Sequence, residues 1–245
     1  LALLIKNEFM KLRRLKSTYL IVFLSFVPYI VNTIGLLTTD KVADWEKYYI
    51  FVFNQYGILF PTVLFIFSGY SFFLEYKNRT FMNWLSYPYS KFTLIISKVL
   101  ACILFLFGIS ILNHMMTILT VSVSFYDRIS SADFTKMTVT SGVSIILFLT
   151  LVPIASLVAY VTRNIITVIV LGVTTFFVTT IVLGADFSYI VPTSFIYRFC
   201  MFIFDPGTGY ENELSNWMGI GLLIIYTLLA FLILFMQSKR TRISS

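Results

Sequence analysis

The chain has 245 residues, of which 58% are hydrophobic and 12% charged. Soluble domains carry about 25% charged residues, so no stretch remains to build one once the long apolar runs are assigned. The net charge of +7 has no basic domain around it to hold nucleic acid, and it points instead to anionic lipid.

Six windows hold no charged side chain: 17–39, 48–74, 99–126, 137–162, 164–185 and 214–238. Each exceeds the ~20 apolar residues that a helix needs to cross a ~30 Å hydrocarbon core. Backbone in lipid must satisfy its own hydrogen bonds, and a run of this length does so as a helix. The expected fold is therefore all-α and polytopic, one transmembrane domain over 1–245.

Residues 1–16 read as an amphipathic helix at the membrane interface, with Leu1, Leu4, Ile5, Phe9 and Leu12 at helical spacing and Lys6, Arg13, Arg14 and Lys16 off that face. A basic stretch of this length suits an anchored start rather than a cleaved export signal. Span 1 covers about 18–37, and an outer loop at 38–54 leads to span 2 at about 55–74. An inner loop, 75–91, precedes span 3 at about 93–124, long enough to tilt or to project from the bilayer. Span 4, about 138–161, contains Pro153, expected to kink it. Arg163-Asn164 makes a tight turn into span 5, about 165–184. The segment 185–213 is apolar in part but interrupted by Pro192 and Arg198, and it reads as an outer re-entrant hairpin before span 6 at about 216–237. Tyr48, Tyr49, Tyr56, Tyr87 and Tyr89 fall near span ends and suit aromatic belts at headgroup level.

Six spans put both termini on one side. If that side is inside, inner segments hold 13 of the 18 basic residues and only Glu8 and Glu75 among the acids. The asymmetry sets both termini in the cytoplasm. Cys102 and Cys200 fall in opposite halves of the bilayer, too far apart for a disulfide. One histidine, His114, builds no metal cluster, no phosphate-cradling GxxxxGK[ST] loop occurs, and no paired carboxylates lie within a span. These absences weigh against an ion pump and against a membrane enzyme acting on lipid. Such an enzyme, or a non-transporting scaffold or sensor, is the alternative reading.

Span 3 carries Ser110, Asn113, Thr117, Thr120 and Ser124 at spacings of 3 and 4, with His114 beside them. Such a stripe either lines a substrate path or subunit interface, or makes ordinary interhelical hydrogen bonds. Gly172 and Thr175 on span 5 suit close helix approach. Asp186, Asp205, Glu211 and Glu213 make the last outer segment acidic, and Arg198 either reaches headgroups or pins the hairpin.

The inner loop is the most informative segment. Glu75, Thr80, Leu85, Pro88 and Ser90 form the pattern E-x4-T-x4-L-x2-P-x-S. Phe81, Trp84 and Leu85 share one face if the loop forms a short helix. The chain thereby resembles the permease subunits of ABC-2 type transporters, the type V exporters. Its opening stretch 6–14 is similar to a bacterial subgroup linked to bacitracin resistance and lantibiotic immunity. The resemblance implies that Glu75, Thr80, Phe81, Trp84, Leu85, Pro88 and Ser90 form a coupling element seated in a groove of an ATPase subunit. An aromatic anchor in a pocket suits so small an interface. As a plain exposed pair with Lys77, Arg79 or the N-terminal helix, Glu75 contributes only ~0–1 kcal/mol. The resemblance further implies two ATPase subunits carrying the ATP and Mg, a second copy or a related permease, membrane lipid around both, and a bacterial cytoplasmic membrane. This chain itself then holds no cofactor and no metal and catalyses no reaction. An amphipathic cargo, such as an antimicrobial or cytolytic peptide, suits aromatic spans without buried charge.

Overall fold

A computed structural model describes residues 1–38, 44–78, 80, 84, 88–210 and 212–240. The described residues form helices α1 (Ala2–Arg13), α2 (Lys16–Thr38), α3 (Trp45–Lys77), α4 (Lys91–Ser124), α5 (Ser131–Leu149), α6 (Val152–Thr162), α7 (Ile165–Val182), α8 (Pro192–Phe204) and α9 (Glu213–Arg240). Short 3-10 turns lie at Tyr126–Arg128, Asp186–Ile190 and Pro206–Thr208. Six helical units have the length and apolarity to cross a membrane, with α5 and α6 together making the fourth.

Polar caps mark where the apolar runs begin. The Asp44 side chain accepts from Glu46 N at the head of α3, and that of Ser90 from Thr93 N at the head of α4. Ser130 and Asp133 form a reciprocal capping box on α5, and Asn164 caps α7. Pro153 does break the fourth span. It has no N–H to give the carbonyl four residues back, and the Thr227 hydroxyl of α9 reaches the Thr150 carbonyl at 3.3 Å beside the break. The turn after α6 closes with Arg163 at φ 54°, ψ 19°, the one non-glycine residue with positive φ among those described.

α3 is the central helix and packs on α2, α4, α6, α7 and α8. Its fit to α7 depends on two glycines. A Cβ on Gly69 would lie 2.5 Å from Val168 Cγ1, and one on Gly172 would lie 3.1 Å from Phe65 Cβ. Thr62 Oγ1 donates to Gly172 O at 2.8 Å, so Gly172 does sit at a close approach, while Thr175 bonds back to its own helix. The core is rich in aromatic side chains, with Phe67 stacked on Phe105 at 4.6 Å and Tyr49 on Phe204 at 4.9 Å.

Three expectations are corrected. α3 starts at Trp45, so much of the expected outer loop 38–54 is helix. Tyr48, Tyr49 and Tyr56 do not form a belt: they are buried on the inward face of α3, with hydroxyls on Thr33, Ser141 and Ser110. A phenol enters an apolar interior when its hydroxyl finds a partner there. Third, α1 turns inward a face made of Leu4, Glu8 and Leu12, whereas Leu1 is exposed. Tyr89 is exposed, and Tyr87 lies outside the described residues.

The segment before α9 folds back on the bundle. α8 buries Phe195, Ile196, Cys200 and Phe204, and the Tyr197 hydroxyl donates to Asn54 Oδ1. Arg198 ties the segment together. Its Nη1 donates to Ala185 O (3.0 Å) and Ser188 Oγ (3.2 Å), its Nη2 to Gly209 O (2.9 Å), and its guanidinium lies 3.9 Å over the Tyr210 ring. Of its two expected roles, this geometry is the pin.

Candidate functional site

At the end of the bundle that carries the N-terminus, three helices converge at spacings of four. α1 presents Leu4, Glu8 and Leu12, α3 presents Ser71 and Glu75, and α4 presents Leu94, Lys98 and Cys102, all of them buried. The period places each set on one helical stripe. Where the stripes meet, two carboxylates face two ammonium groups.

Lys98 Nζ donates to Glu8 Oε2 at 2.5 Å, to Glu75 Oε1 at 3.1 Å and to Ser71 O at 3.2 Å. Lys11 Nζ donates to Glu8 Oε1 at 2.9 Å and to Glu75 Oε1 at 2.7 Å. The side chain of Lys98 is 2% exposed, and those of Glu75 and Glu8 are 6% and 8%. Lys11 lies at the margin at 42%. Burial lowers the Lys11 pKa, but Glu8 and Glu75 outweigh it and raise the ammonium above its ordinary value. Charges this deep persist because every one is paired and hydrogen-bonded.

The inner loop enters the cluster directly. Thr80 Oγ1 donates to Glu75 Oε2 at 2.7 Å, and Thr80 N to Glu75 O at 3.0 Å. Trp84 is buried, its backbone N–H donates to Thr80 O at 2.8 Å, and its ring lies 5.4 Å from Lys98 Nζ. That separation is within cation–π range. Ser90 ends the loop as the cap of α4, and Pro88 is exposed in the turn before it. Phe81 and Leu85 lie outside the described residues. A cleft of about 410 Å³, lined by Lys11, Leu15, Leu74, Asn78, Thr80 and Trp84, opens beside Glu75.

Glu75, Thr80 and Trp84 are thus brought together, and Glu75 is no plain exposed pair: it is the acceptor at the centre of the joint. Sequence reasoning missed Glu8 and Lys98. The signal was available in part. Glu8 is the one acid in residues 1–38 and falls on the Leu4–Leu12 stripe, and Lys98 falls between Leu94 and Cys102.

The α4 stripe is buried at Ser110, Asn113 and Thr117, half-buried at Thr120 and exposed at Ser124. Ser110 accepts from Tyr56, Asn113 donates to Ser25 O at 3.1 Å, and Thr120 meets Tyr29 at 2.9 Å. Thr117 bonds to Asn113 O, and His114 Nε2 lies 3.3 Å from Ser144 Oγ. In this arrangement these groups join α4 to α2, α3 and α5 within one chain. Among the described residues no cluster of His, Cys, Asp or Glu could hold a metal, and both cysteines are free and buried.

The joint has the chemistry of a mechanical linkage. It holds fixed charges at a three-helix junction and fastens a loop to that junction. Residues 4–182 match the family described as ABC-2 family transporter protein. That range contains the whole joint and runs from the first turn of α1 to the end of α7. No individual curated protein matches the chain.

Proposed function

On the premise that the chain belongs to the ABC-2 transporter family, we propose that the Glu8–Lys11–Glu75–Lys98 joint carries motion from an ATPase into the spans of this permease subunit. The protein is an integral membrane permease subunit of an ABC transporter, and ABC-2 permeases work with an ABC ATPase. In the proposal, the loop 75–91 meets the ATPase, which binds the ATP and Mg. The observation that carries it is the tie of Thr80 and Trp84 to Glu75 and Lys98. A push on the loop displaces the Glu75 carboxylate, and its two lysines draw α1 and α4 along with α3. The end with this joint faces the cytoplasm of a bacterium, as the excess of Lys and Arg there favours.

Two copies, or this chain and a related permease, enclose the path. The proposed cargo is an amphipathic, cationic peptide exported in self-protection. Exposed acids at the far end, Glu46, Asp127, Asp186, Asp205 and Glu213, support that choice by charge complementarity.

The test is co-purification of the ATPase and peptide-stimulated ATP hydrolysis in proteoliposomes. Trp84→Ala should weaken ATPase recovery. Glu75→Gln should keep recovery and lose stimulation, because the contact survives while the linkage loosens. Full stimulation in Glu75→Gln would overturn the linkage, and ATPase binding that survives deletion of 79–87 would favour a scaffold.

A further inference from the structure

We propose that the groove between α1, the first turns of α2 and the middle of α4 holds one anionic phospholipid. The groove encloses about 510 Å³. Its apolar lining includes Phe9, Met10, Val22 and Phe105, with Lys6 and Arg13 as the charged residues. The α1 members Lys6, Phe9, Met10 and Arg13 recur at three and four, so one helical stripe supplies both chemistries. Phe9 and Phe105 face each other at 6.3 Å across it.

Position along the helices favours a lipid over a soluble anion. Phe105 lies seven residues beyond Lys98 on α4, about 10 Å deeper at 1.5 Å per residue. The groove therefore runs from the basic end down to acyl-chain depth. The charge at its mouth is also uncompensated among the described residues. Glu8 is the one acid in residues 1–38, and its two oxygens bind Lys11 and Lys98 on the opposite face of α1. Among the described residues neither Lys6 nor Arg13 forms an ion pair with protein. Thr18, 3% exposed, also lines the groove, and its buried hydroxyl has no partner among the described residues. A phosphate at the Lys6–Arg13 mouth with an acyl chain on Phe9 and Phe105 satisfies both requirements. Such a lipid would wedge α1 against α4 and so brace the joint on the other face of α1.

The inference goes beyond the transport reading and needs only that the chain is embedded with its basic end at a leaflet surface. Retention of phosphatidylglycerol and of phosphatidylcholine with the same acyl chains is measured on the purified full chain by native mass spectrometry. The expected preference for phosphatidylglycerol is about 25-fold, at about fivefold per basic residue near the surface. The Lys6→Gln/Arg13→Gln variant should fall to near parity. Lys6→Arg/Arg13→Lys should keep the preference, as should Lys47→Gln/Lys136→Gln at the far end. Equal retention of the two lipids by wild type would overturn the proposal. So would an unchanged preference in Lys6→Gln/Arg13→Gln, or full displacement by inorganic phosphate. Each outcome is read from lipid retention alone, independently of ATPase recovery or stimulated hydrolysis.

Discussion

At the residue scale, Lys98 decides the joint. It is the most buried of the four charges, and like Lys11 it touches both carboxylates. Replacing it with Met leaves Glu8 and Glu75 facing each other with only Lys11 to balance them. An uncompensated buried charge costs about 3–5 kcal/mol, so Lys98→Met should lower stability by that order in mixed-micelle denaturation. Adding Glu8→Gln restores neutrality and should recover more than half of the loss; no recovery would mean that packing rather than charge holds the junction. Lys11 is the lesser partner because its side chain is 42% exposed, and its removal should cost about 1 kcal/mol or less. Its pKa is raised on folding, by carboxylates that outweigh burial. Its contribution is therefore complete below the ordinary lysine value of 10.5 and lost as pH rises through the higher folded value. Lys11→Met should flatten that alkaline decline and leave neutral behaviour nearly unchanged, which a pH series of unfolding midpoints checks.

At the scale of elements, small residues and one arginine set how helices meet. Gly69→Ala would put a methyl 2.5 Å from Val168 Cγ1. α3 and α7 must then separate, at a cost of about 1–3 kcal/mol for overpacking. Gly108→Ala on α4 meets nothing within 4 Å and should be neutral or stabilising by up to about 1 kcal/mol, since alanine is the better helix former. The contrast between the two variants, read by unfolding midpoint, tests the packing directly. Arg198→Gln should free residues 186–210, because the carbonyls of Ala185 and Gly209 lose their donor; faster hydrogen exchange confined to that segment checks it. Arg198→Lys should rescue only partly, since an ammonium lacks the planar fork. These elements were unequally legible in the sequence. The six spans were visible because absence of charge over twenty residues has few other meanings, and Pro153 was visible as a kink and Arg163-Asn164 as a tight turn. The joint was not, because residues 8, 75 and 98 meet only after three helices pack. Tyr48, Tyr49 and Tyr56 misled for the same reason: a tyrosine near a span end looks alike whether its hydroxyl finds Ser141 or a headgroup.

At the scale of the whole molecule, opposite ends differ in kind. One end carries the joint, the groove with Lys6 and Arg13, and the last turn of α9 with Lys239 and Arg240. Phe92 of α4 packs on Phe235 of α9 at 5.1 Å, so the start of α4 and the end of α9 share it. The other end carries the capping box of α5 and the Arg198-pinned hairpin, joined where Lys136 lies over the Phe204 ring. Between them, α2, α7 and α9 leave large apolar side chains such as Phe23, Phe177 and Leu228 exposed, as lipid or a second subunit requires. If the basic end faces the cytoplasm, a membrane-impermeant maleimide added outside cells should label Ser131→Cys and spare Lys6→Cys until the membrane is opened. Background should be low without removing the native thiols, because Cys102 and Cys200 are buried. The opposite pattern would invert the protein in the bilayer. It would put the joint beyond the reach of a cytoplasmic ATPase, while leaving the three-helix junction and its chemistry intact.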